Sequence, residues 1–150
     1  MATLPAEAAA GTLLQIGNLA SPEAWQSIAN VSDITGPQMG ATEVDITSHT
    51  SVTIPWRQKI VTLIEVGQTV VKIFWNPTDP SHSNNPSAFV GGLMYIFINR
   101  VKVPVRILHP DLTTDAFFAY ISKVNKTAPI AGVLGMDITF TGTDNPINMA

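Results

Sequence analysis

The stretch Ala41-Thr-Glu-Val-Asp-Ile-Thr-Ser-His-Thr-Ser51 places an acid, a histidine and several hydroxyls within a few residues of one another. Asp45, Ser48, His49 and Ser51 are the residue types of an acyl-transfer triad: a hydroxyl nucleophile, an imidazole base and a carboxylate to orient it. That chemistry needs its members brought together by the fold, with the nucleophile on a strained turn, and the sequence carries no nucleophile-elbow pattern. The other histidines, His82 and His109, share no helical spacing with His49. With no cysteine in the chain, thiolate ligation and disulfides are excluded, and neither a metal nor a cofactor is expected. Gly91-Gly92 lacks the Lys-Ser/Thr sequel of a phosphate loop. Trp25, Trp56 and Trp75 could stack on single-stranded nucleic acid, but without basic neighbours on the same strands core or interface packing is the expectation.

The elements that would carry these residues read mainly as strands. Thr12 to Leu19 is a short apolar run. Residues 21 to 34 allow either a helix capped by Ser21-Pro22-Glu23 or an irregular strand. Glu43 to Thr47 alternates, with Val44 and Ile46 opposite Glu43, Asp45 and Thr47, as a half-buried strand would. Arg57 to Ile64 and Thr69 to Trp75 are β-branched and pair plausibly as a hairpin. Asn76 to Pro86 is a loop by composition. Phe89, Leu93, Ile96 and Phe97 predict a helix within Ser87 to Asn99, weakened by roughly 1 kcal/mol for each of its two glycines. Val101 to Leu108 alternates again, with Pro104 expected at an edge or facing away from pairing. Two closing strands, Ala116 to Val124 and Gly132 to Thr141, complete a pattern of sandwich or barrel type rather than β-α-β units.

At 150 residues the chain suits one domain with a real core. Charged residues are only 13% against 45% hydrophobic, roughly half the usual charged share. A surface so poor in charge implies extensive cover by partners. The net charge of −3 argues against a nucleic-acid reader with a basic face. All eight basic residues lie between Arg57 and Lys126, whereas the residues before Arg57 carry only acids. Such asymmetry would suit copies meeting head to tail, acidic part against basic part. No stretch reaches the ~20 apolar residues of a membrane span, so no membrane insertion is expected. MATLPAEAAAGTLLQIG has no basic residue ahead of its apolar ones and does not read as a signal peptide.

Taken in order, GTLLQIG, WQSIANVSDITGP, EVDITSHTS, PWRQK, VVKIFWNP and AFFAYISKVNKTAPIAGVLGMDITFTGT resemble the major tail tube proteins of long-tailed bacteriophages, from about Gly11 to Gly142. The resemblance implies an antiparallel β-sandwich or barrel with one flanking α-helix, a subunit of a hexameric ring. Residues 1–11 would form an N-terminal arm and 143–150 a C-terminal tail. Rings would stack into a hollow virion tail tube, assembled in the host cytoplasm, that encloses the tape measure protein, meets tail terminator and tail tip proteins, and conducts viral DNA during ejection. It would not be an enzyme. The segment around DITSHTS then becomes architecture: Glu43, Asp45, Thr47, Ser48, His49, Ser51, Arg57 and Lys59 are the expected subunit or ring contacts. TLIEVGQ departs from the glycine-containing turn of many relatives, so that hairpin is expected to differ. The rival reading is a small-ligand-binding or catalytic β-barrel domain using Asp45, Ser48 and His49.

Overall fold

The computed structural model describes residues 11–18, 24–46, 56–84 and 91–150. Along them run β1 (Leu13–Gly17), β2 (Trp25–Ser27), β3 (Val31–Thr35), β4 (Met39–Asp45), β5 (Lys59–Val66), β6 (Gln68–Phe74), α1 (Leu93–Ile98), β7 (Val103–Leu108), β8 (Thr114–Thr127) and β9 (Gly135–Asn148). Every pairing is antiparallel. The architecture is therefore mainly β with one short helix, as the β-branched composition implies.

Seven strands form one sheet in the order β2-β1-β7-β8-β9-β6-β3. Its two edge strands are joined by Ile28, Ala29 and Asn30 alone, a link that reaches at most about 14 Å. Laid flat, seven strands would hold their edges about 29 Å apart. The sheet must curl until its edges approach, which is the barrel-like closure expected from the sequence. The alternating side chains then face inward: Val103, Val105 and Ile107 on β7, Phe117 and Ala119 on β8, and Met136, Ile138 and Phe140 on β9 are all buried.

The mouth of this curl is plugged by the 76–84 loop and α1. Leu93 and Ile96 of the helix are buried in the core. Its first amides are satisfied by the loop, Leu93 N–H donating to Ser81 O at 2.9 Å and Met94 N–H to His82 O at 3.3 Å. His82 is fully buried. Its Nδ1 accepts the Asn76 amide at 3.2 Å, which assigns the proton to Nε2, and Nε2 donates to Ala29 O at 2.7 Å. A buried histidine thus fastens the loop to the link between the sheet's edges.

Four expectations change. Residues 25–27 and 31–35 are strands, so the helical alternative for 21–34 fails over its described part. The helix around residue 93 is only six residues long, and both glycines precede its first turn. β5 and β6 do not pair with each other: β5 pairs with β4, and β6 with β3 and β9. Their shared Gly67 is a corner between two sheets rather than a hairpin turn, because each strand pairs within a different sheet. Residues from 143 onward continue β9 to Asn148 instead of leaving as a tail. They do so through an outward bulge, since Phe118 pairs with Thr143 but Ala116 with Asn148. Pro104 lies one residue beyond the last β1–β7 pair, where no ladder bond to β1 is required of it.

Candidate assembly surface

β3 and β4 on one side and β6 and β5 on the other form one long ribbon bent in the middle. Its lower half, β3 with β6, belongs to the curled sheet, and its upper half, β4 with β5, leaves it. The bend has local causes. Gly36 sits at φ +115, a conformation open to glycine, and a Cβ there would come within 2.9 Å of Gln68 O. Gln38 N–H then bonds Gln68 O at 3.0 Å and Gly67 N–H bonds Gln38 O at 2.6 Å. From behind, Gly142 N–H donates to Gly67 O at 2.9 Å, and a Cβ on Gly142 would stand 2.5 Å from Val66 O. Only a residue without a side chain lets β9 approach the corner so closely.

Past the corner the ribbon is apolar and uncovered. All of β4 is exposed, which corrects the half-buried strand expected over Glu43 to Thr47. In β5 only Val66 is buried. Val44 pairs with Ile60 on one face, and Ala41 with Ile64 and Glu43 with Val61 on the other, so both faces carry aliphatic groups. Leu63 is 72% and Ile64 78% exposed. A second exposed apolar feature lies at the β8–β9 turn, where Ile130 and Val133 project into solvent. Such residues scattered singly would be ordinary; here they are concentrated on one two-stranded ribbon as an exposed apolar patch.

Of the sequence-predicted site residues, the structure brings Glu43, Asp45 and Lys59 together near the ribbon's far end. Asp45 is in register with Lys59, and Lys59 Nζ lies 3.5 Å from Glu43 Oε2, both side chains more than half exposed. Such a pair contributes between 0 and about 1 kcal/mol. Its consequence is a ribbon whose acid is already met by a base of its own chain. Arg57 is exposed just before β5. Thr47, Ser48, His49 and Ser51 lie outside the described residues.

The aliphatic residues Met39, Val61, Leu63, Ile64 and Ile130 escaped the sequence reading because apolar positions in a strand pattern read as core. The available signal was the unbroken run Ile60-Val-Thr-Leu-Ile64, which lacks the alternation of a strand with one wet face. The tryptophans do not act together as a stacking platform: the Arg106 guanidinium lies 4.5 Å from the Trp25 ring and Lys126 Nζ 4.1 Å from that of Trp75. Among the described residues no His, Asp or Glu cluster could hold a metal ion, and no helix is long and apolar enough to cross a membrane.

The sequence profile described as lambda phage tail tube protein, TTP, matches residues 10–149. The chain belongs to that family. It is a structural tail tube protein of the virion tail, not an enzyme. No curated protein sequence matches it. Among solved structures, this tail tube protein resembles a chain from the tail of an empty gene transfer agent particle refined with C6 symmetry, at TM-score 0.74 and 15% identity over 97% of this chain and 100% of that one. The anti-feeding prophage tube-terminating cap gives TM-score 0.65 and 11% identity, covering 95% and 90%. The SPP1 tail tube gives 0.54 and 11%, covering 87% and 72%. At these identities the likeness is one of fold.

Proposed function

We propose that this tail tube protein closes into six-membered rings that stack into a hollow tube, and that the β4–β5 ribbon is its main contact with neighbouring subunits. The observation carrying this reading is the ribbon itself: seven large aliphatic side chains, Met39, Val44, Ile46, Ile60, Val61, Leu63 and Ile64, all exposed in the single chain. Six-fold closure is supported by the C6 symmetry of the gene transfer agent tail. Glu43, Asp45, Lys59 and Arg57 set polar register along the ribbon, and Thr47, Ser48, His49 and Ser51 extend the contact at its end. The tape measure protein occupies the bore during assembly, terminator and tip proteins close the two ends, and DNA later passes through. A chain with few basic residues suits passage, because each Lys or Arg contact to phosphate adds salt-dependent affinity and therefore drag.

Paired Leu63→Ser and Ile64→Ser substitutions test the ribbon. Both side chains already face water, so the isolated subunit should keep its thermal midpoint, with stability altered by no more than about 0.5 kcal/mol per site. Polymerisation, followed by light scattering against concentration, should be lost. A variant that polymerises as the wild type does would remove the ribbon from the interface.

A further inference from the structure

The ribbon leaves the sheet beside Gly142, midway along β9, and the β8–β9 turn projects from the start of that strand. Gln68, which opens β6 directly after the ribbon's corner, pairs with Thr141, whereas Phe74 at the far end of β6 pairs with Gly135 beside the turn. Between Gly135 and Gly142 the strand advances seven residues, about 24 Å. Two uncovered apolar features of one chain are therefore held apart by a stiff pair of strands and cannot meet each other.

They are complementary. At the ribbon's root, between Ile64, Val66 and Met39 on one side and Pro146 of the β9 bulge on the other, lies a mainly apolar cleft of about 260 Å³. Its bulge wall is held by Lys102 Nζ, 2.8 Å from Asp144 Oδ2. The opposite projection, Ala128-Pro-Ile-Ala-Gly-Val-Leu134, contains no charged residue, and Ile130 is fully exposed. Lys126 stands at the base of that projection and Glu65 at the rim of the cleft, and Glu65 forms no salt bridge among the described residues. Charge as well as apolarity therefore matches.

Building on the stacked-ring reading, we infer that the Ala128–Leu134 turn of one subunit seats in the Met39/Ile64/Val66/Pro146 cleft of a second copy in the next ring. Because the two surfaces differ and are held apart along one strand pair, the contact is heterologous. Repeated, it gives each column of subunits a direction and no end point. This assigns the axial contact to specific residues and gives the tube its polarity.

A cysteine-free chain makes the test direct. Ala131→Cys on the turn and Asn145→Cys at the rim of the cleft, both at exposed positions that leave the apolar contact groups in place, are combined in one chain, assembled, and treated with a short bis-maleimide. The expected result on a denaturing gel is a ladder of covalent oligomers running past the ring size, while each single-cysteine variant stays monomeric. Tubes visible by electron microscopy without a ladder overturn the inference but leave the tube reading intact. A ladder stopping at the ring size, or cross-linking of Ala131→Cys alone, also overturns it. If neither tubes nor ladder form with the wild-type background, the stacked-ring reading falls as well.

Discussion

His82 Nε2 donates to the carbonyl oxygen of Ala29 across 2.7 Å, joining residues 53 positions apart in the chain. Ala29 belongs to the three-residue link between the edge strands, and the ring's other nitrogen holds the Asn76 amide. Ser81 adds to the same junction, receiving the Ala29 N–H at 3.4 Å and donating its hydroxyl to Asp79 at 2.7 Å. One loop thereby locks the closure of the sheet.

Replacing His82 by alanine empties a buried position and takes their partner from the part-buried Asn76 N–H and Ala29 carbonyl. Each costs about 1–3 kcal/mol, so a net loss of roughly 2–4 kcal/mol is expected. For a domain of this size the thermal midpoint should fall by about 5–15 °C, measured by circular dichroism on the unassembled subunit. A midpoint within about 1 °C of the wild type would show that His82 does not hold the closure.

Gly142→Ala probes the ribbon's corner. The added methyl would press on Val66 O and its side chain, and overpacking of this kind costs about 1–3 kcal/mol. Backbone must yield, so amide exchange at Gly67 and Gly142 should accelerate together while that of the distant Val105 stays slow. Unchanged protection at Gly67 would contradict the close approach.

These two sites mark what the sequence made legible and what it did not. The strand alternation of Val103-Val105-Ile107 and Met136-Ile138-Phe140 was visible because these side chains share one face of their strands, and the structure buries them; Pro104, on the other face of β7, is buried as well. The β5–β6 connection misled because Gly67 between two β-branched runs has the local chemistry of a hairpin; which strand each run pairs with is decided by contacts far away in sequence. His82 sits in a loop of Pro, Ser and Asn that offers no sign of burial, since its partners, Ala29 and Asn76, are brought to it by the fold. In the candidate interface the charges Glu43, Asp45 and Lys59 stood out by type. The aliphatic residues beside them did not, because a residue buried by a second subunit and one buried by its own chain have the same local pattern.

The bulge wall of the cleft responds to pH. Asp144 is held below its ordinary 3.8 first by the hydrogen bond from Lys102 and then by its charge, while the same contact raises Lys102 above 10.5. A depressed carboxyl stabilises the folded state above 3.8 and loses that contribution as pH falls through its lowered value. A raised ammonium contributes below 10.5 and loses it as pH climbs through its higher value. The contact is therefore intact across the neutral range. An NMR titration of the Asp144 carboxyl should give a midpoint below 3.8, moving back up in Lys102→Ala. A wild-type midpoint at or above 3.8 would show that the pair is not formed in solution.

Electron microscopy of the purified protein across a concentration series, with added tube fragments as seeds, tests most directly whether this chain is a ring-forming tube subunit. Hollow tubes whose end-on views show six-fold rings are expected, with the β4–β5 ribbon resolved between adjacent subunits. Isolated subunits at every concentration, unchanged by seeding, would show that it is not one.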